Sequence, residues 1–141
     1  MTSMLALGDV ANFVPEASGV HLDMTDYGSI TFVSFVATGD NTLTLRESID
    51  GASEQLLAAI DLIHKAPGVG GTWTEVTQTA GSAFTNADAT NDSFAITILS
   101  TDLSDGFNSL EATVDAGTCF AFLGHLRDRR NPTRLPTPIA S

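Results

Sequence analysis

The feature that most constrains this chain is a period of two in its apolar residues, recurring in short runs. Val20, Leu22 and Met24 alternate with His21 and Asp23, which lines one face of a strand and not a helix stripe. Ser29–Ala37 is rich in β-branched and aromatic residues and reads as a central strand. Gly39-Asp40-Asn41 interrupts it, and Leu43 and Leu45 then alternate with Thr42, Thr44 and Arg46. Two such runs around a short polar break predict a β-hairpin. Thr72–Gln78 reads as an exposed strand. Phe94, Ile96 and Ile98 mark a buried one, and Leu110–Val114 and Thr118–Leu123 form the last two. Residues 80–92 are small and polar, so they are expected to loop around Phe84. Residues 54–65 fit a helical face through Leu56, Leu57, Ile60 and Ile63, and equally a strand face through Leu56, Ala58, Ile60 and Leu62. The β context and the turn cluster at 67–71 favour strand there.

The fold class is therefore all-β, an antiparallel β-sandwich or barrel. Val20, Leu22, Ile30, Phe32, Leu43, Leu45, Phe94, Ile96, Ile98, Phe120 and Phe122 are its expected core. Residues 1–17 lack a clear period and are expected to form an N-terminal arm, with room for a short strand. The sandwich domain takes 18–125. Residues 126–141 carry Pro132, Pro136 and Pro138 and are expected to be an extended tail.

A single domain of 141 residues can bury a core without disulfides or metals. Charge divides the chain unevenly. Residues 1–126 hold 16 acids against Arg46 and Lys65, a balance of −14; residues 127–141 hold Asp128 against Arg127, Arg129, Arg130 and Arg134, a balance of +3. An acidic body repels the phosphates of nucleic acid and anionic lipid, so neither is an expected partner. The basic end reads as an arm for an acidic protein surface, including another copy of this body. Arg127, Arg129, Arg130 and Arg134 are its candidate carboxylate-binding groups, and Leu135 and Ile139 its apolar anchors. Met1–Asp9 has no basic leader with a long apolar run. No apolar stretch approaches the roughly 18 residues that span a bilayer. The expectation is a soluble chain made in the cytoplasm, which can leave the cell within a released assembly.

Catalytic chemistry is hard to find. His21, His64 and His125 have no second ligand type at a metal-binding interval, and no metal or organic cofactor is expected. No Gly-x-Ser-x-Gly elbow is present, and Gly68-Val69-Gly70-Gly71 lacks the Lys-Ser/Thr of a phosphate loop. Cys119 sits in an apolar run and is expected to be a small buried hydrophobe. The acidic loops Asn86–Asp92 and Asp102–Asp105 do not match EF-hand spacing and read as solvated turns. Trp73, on a Thr-rich strand, would be a sugar platform if exposed in a concave site; burial would fit a packing role.

One stretch carries a resemblance. Thr42-Leu43-Thr44-Leu45-Arg46-Glu47-Ser48 is followed by Leu57–Lys65, then Gly71–Gln78, then Ala95-Ile96-Thr97-Ile98, then Asp102–Phe107 and the final strand. In order and kind these elements, spanning Asn41–Leu123, resemble the small capsid-associated and head decoration proteins of tailed bacteriophages. The resemblance implies a β-rich, non-enzymatic virion protein, made in the host cytoplasm and located on the capsid surface. It also implies the major capsid protein and further copies of itself as partners. A tail-associated structural protein of the same composition and a carbohydrate-binding β-sandwich are the alternatives.

Overall fold

The computed structural model describes residues 10–68 and 70–126. These form β1 (Val10–Glu16), β2 (Leu22–Asp23), β3 (Tyr27–Ile49), β4 (Ala52–Leu56), β5 (Ile60–Ala66), β6 (Thr74–Gly81), β7 (Ala83–Leu99), β8 (Ser109–Val114) and β9 (Thr118–Leu126), with one 3-10 turn at Ser100–Asp102. All pairings are antiparallel within one 9-stranded sheet, whose main path runs β1-β9-β3-β7-β5-β6. Among the described residues no helix is long and apolar enough to cross a membrane.

The long strands β3 and β7 form the spine. They pair from Ser29↔Leu99 to Thr44↔Ala83, with one register shift between Gly39 and Asn41. That shift is a bulge, and it changes which residues face inward. Before it Ile30, Phe32, Ser34 and Val36 are buried; after it Asn41, Leu43, Leu45 and Glu47 are. Gly39, at φ +93°, supplies the left-handed backbone there. On its other edge β3 meets β9 along Tyr27–Phe35 and β8 along Leu43–Ser48. Each half of β3 thus has its own neighbours, yet Ile30, Phe32, Leu43 and Leu45 share one core cluster with Leu110, Ala121 and Leu123. The sheet folds over at the bulge so that its two halves become the layers around one core.

The all-β antiparallel expectation holds, and residues 54–65 are strand, broken at 57–59. Several details differ. Residues 29–37 and 42–47 are not a hairpin. They are one continuous strand, because both pair with the same β7 and the polar break lies opposite a one-residue bulge in β7. Residues 83–92, expected as loop, are the first half of β7, held by this pairing despite their low β propensity. Phe120 is 37% exposed and Phe122 half-buried, because Cys119, Ala121 and Leu123 take the inward phase of β9. Val20, also 37% exposed, lies ahead of β2 in a turn closed by Val20 N–H donating to the Ala17 carbonyl. The expected N-terminal arm holds, over its described part, the short strand it left room for, since Val10–Glu16 pairs with β9 at the sheet edge.

The link between β8 and β9 lies against the bend. Asp115 accepts the Thr42 amide at 2.7 Å, and Gly117 sits at φ +75° where a Cβ would overlap the Phe35 carbonyl oxygen. Gly106 has a similar φ of +85° with nothing near its missing Cβ. Gly117→Ala should therefore lower unfolding free energy by roughly 2 kcal/mol or more, against about 1 kcal/mol for Gly106→Ala. Urea titration of both variants measures the gap; equal losses would show that the close approach at Phe35 is not a constraint.

Candidate functional site

The tail residues singled out from sequence, Arg127, Arg129, Arg130, Arg134, Leu135 and Ile139, lie outside the described residues. Two arrangements within those residues carry functional geometry.

The first is the outer face of β1, β9, β3 and β7. Cross-strand neighbours share a face, and the register stacks Phe13 beside Phe122, Pro15 and Val33 beside Phe120, and Phe35 beside Thr118. Ser93, Ala95, Thr97 and Leu99 continue the row on β7. Phe13 stacks on Phe120 and Phe122 with ring centroids 5.2 and 4.8 Å apart. Phe13 is 50% exposed and Phe35 42%. None of the outward positions in this row is charged, in a chain with 17 acids. Beyond β7 the face dips into a groove of about 420 Å³ lined by Ala58, Asp61, Leu62, His64, Leu99 and Asp102 among others.

The second arrangement lies where the segment after β1 crosses β8, β3 and β4. Gly19 N–H donates to Glu111 Oε2. His21 Nδ1 is 3.1 Å from Ser48 Oγ, and its Nε2 is 2.9 Å from Glu54 Oε2. Donor atoms of His21, Glu54 and Glu111 all lie within 4.8 Å of one another. Glu16, at the end of β1, accepts the Ala17 and Ala112 amides. Burial pushes the Glu16 carboxyl up to about 7; those amides oppose the shift and the neighbouring Glu111 charge adds to it.

Ser48, His21 and Glu54 have the composition of a hydrolytic triad but not its geometry. A triad serine bonds the imidazole Nε2 and the acid holds Nδ1; here the two are exchanged. Ser48 is also fully buried, so its hydroxyl meets no substrate. Cys119 is buried as expected, its thiol pushed up to about 12 by burial first and the Glu16 charge second. Trp73 is half exposed and does not line the groove beside β7, so it meets one condition for a sugar platform and that groove does not supply the other.

Sequence reading missed both arrangements. The ligand types at 21, 54 and 111 come from three separate elements, so no interval signals them. The charge-free face was readable only after the phase of β9 was known.

No known family's sequence profile matches the chain, and no curated protein matches it. Among solved structures, the SPBc2 prophage-derived protein YomS aligns with a TM-score of 0.42 at 11% identity, covering 79% of this chain and 83% of that one. That likeness is too distant to carry a functional argument.

Glu16 makes stability depend on pH in a defined direction. Its folded pKa of about 7 exceeds the ordinary 4.5, so the folded state holds this proton more tightly. The resulting stabilisation is full below about pH 4.5 and is lost as pH rises through 7. Glu16→Gln removes that dependence. Between pH 4.5 and about 8 the variant should gain ~1–3 kcal/mol relative to the parent. Parallel urea titrations across that range measure it, and a constant difference would mean that Glu16 ionises normally.

Proposed function

We propose that this chain is a non-enzymatic structural protein of a bacteriophage particle, and within that class a capsid decoration protein on the outside of the head. The observation that carries the reading is the uncharged aromatic face over β1, β9, β3 and β7. Exposed apolar patches of this kind mark protein contacts. On a body at −14, long-range repulsion opposes self-association, and this face is where two copies can meet without opposing carboxylates. The occupant of the face is thus a second copy of the same chain. The major capsid protein is the partner of the assembled oligomer, reached by the tail through Arg127, Arg129, Arg130 and Arg134 with Leu135 and Ile139 as anchors. The head position is supported by the resemblance of Asn41–Leu123 to capsid-associated proteins. No acid, base and accessible nucleophile converge among the described residues, which supports a binding role over catalysis.

Two measurements test this. Phe13→Ser with Phe120→Ser should raise the self-dissociation constant at least ~10-fold, a loss of about 1.4 kcal/mol, while the circular dichroism spectrum stays unchanged. An unaltered constant in sedimentation analysis removes the face from the interface. A mass-spectrometric inventory of purified particles should find the chain at lattice copy number, and deletion of 127–141 should strip it from the head. Copy number matching one ring would assign it to the tail. Full occupancy without 127–141 would reduce that segment to a solvated end.

A further inference from the structure

We infer that His21, Glu54 and Glu111 form a binding site for a divalent transition-metal cation of the zinc class. The inference is independent of the assembly reading. One imidazole nitrogen and carboxylate oxygens from two residues lie within 4.8 Å of one another. Bonds of about 2.0–2.2 Å around zinc hold neighbouring donors roughly 3.3 Å apart. His21 Nε2 and Glu54 Oε2 are already 2.9 Å apart. Glu54 is on the surface, with its side chain 41% exposed, so it can turn to admit an ion.

Further observations distinguish this cluster from a chance meeting of surface acids. The imidazole is oriented from behind: the buried Ser48 hydroxyl bonds Nδ1, which leaves Nε2 to face the carboxylates. Metal-bound histidines are held in this way through the ring nitrogen that does not ligate. Glu111 is 3% exposed, and among the described residues it makes no ion pair with a lysine or arginine. Its cross-strand neighbour Arg46 lies alongside without such a pair. A buried carboxylate without a cation is costly. The Gly19 amide occupies one of its acceptor positions, and a carboxylate has about four, so Glu111 remains able to ligate. Mixed imidazole and carboxylate donors suit zinc better than calcium, which takes six to eight oxygens. A bound ion would tie the segment between β1 and β2 to β4 and β8.

The test uses the full chain, stripped with chelator and titrated calorimetrically with zinc, manganese or calcium chloride. One zinc per chain is expected, bound at least ~10-fold more tightly than calcium, with a rise in melting temperature. Cobalt should give visible absorption bands that zinc abolishes. His21→Ala should abolish both the heat and the bands. Glu54→Gln, at an exposed position, should do so without risk to folding. Ser48→Ala should weaken affinity about 10–100-fold. His64→Ala, beside Glu75 on another part of the sheet, should leave binding intact. Absence of saturable zinc binding overturns the site. So does binding that survives both His21→Ala and Glu54→Gln, which would be adventitious surface metal only.

Discussion

Everything in this protein hangs on the pairing of β3 with β7 across one bulge. The extra residue lies on β7, where Asn86–Ala89 spans three steps against the two of Gly39–Asn41. Across it the buried set of β3 passes from even to odd positions; had it stayed even, Leu43 and Leu45 would face solvent. With that change of phase, Ile30 and Phe32 on one side and Leu43 and Leu45 on the other enter the same core. The register is marked at that point by polar residues. Asn41 pairs with Asn86 across the strands, both buried, and Asn41 donates to Ser34 Oγ at 2.8 Å. A one-residue slip would turn the entire apolar set outward, and it would also separate these amides from their partners.

The acidity has a structural share as well as a solubilising one. Glu16, Glu47, Asp92 and Glu111 are buried, and each accepts a backbone amide from a turn or connecting segment or an adjacent strand. Glu47 takes the Ser104 amide at 2.8 Å and the Gln55 side chain at 2.6 Å. Asp92 takes the Gly68 amide at 2.7 Å, with Lys65 Nζ 3.8 Å away. These bonds satisfy the buried carboxyl groups, and they fix connections that have little apolar surface of their own. Carboxylates thus act as clips inside the body, while the aromatic face is kept free of them.

Period-two patterning made the class of fold and most of the core legible, since Ile30, Phe32, Leu43, Leu45, Phe94, Ile96 and Ile98 follow it. It failed where two phases were both apolar. In β9 Phe120 and Phe122 are larger and more apolar than Cys119 and Ala121, yet the smaller residues go inside, and the phenylalanines stay on the outer face where Phe13 of β1 stacks beside them. Turn chemistry was also read in the wrong place. Gly39-Asp40-Asn41 has hairpin composition but lies opposite a bulge, whereas Asp50-Gly51, with φ of 51° and 82°, makes the tight two-residue turn between β3 and β4. The cluster around His21 had no signal at all, because only the folded sheet brings 21, 54 and 111 together.

The chain between Phe13 and His21 joins the two candidate sites. Its first part lies as β1 on the edge of β9, with Phe13 completing the aromatic face. Its second part leaves that layer, anchors Glu16 at Ala112 and Gly19 at Glu111, and ends at His21 between Ser48 and Glu54. The strap therefore crosses from one half of the folded sheet to the other. Edge strands expose unpaired backbone groups and are held less firmly than central ones. Here the polar anchors on the β8 side secure the strap where its own apolar content is low. The aromatic contact secures it on the β9 side. Each end limits the conformations open to the other, so the same short segment that shapes the proposed contact surface also closes the proposed cation site.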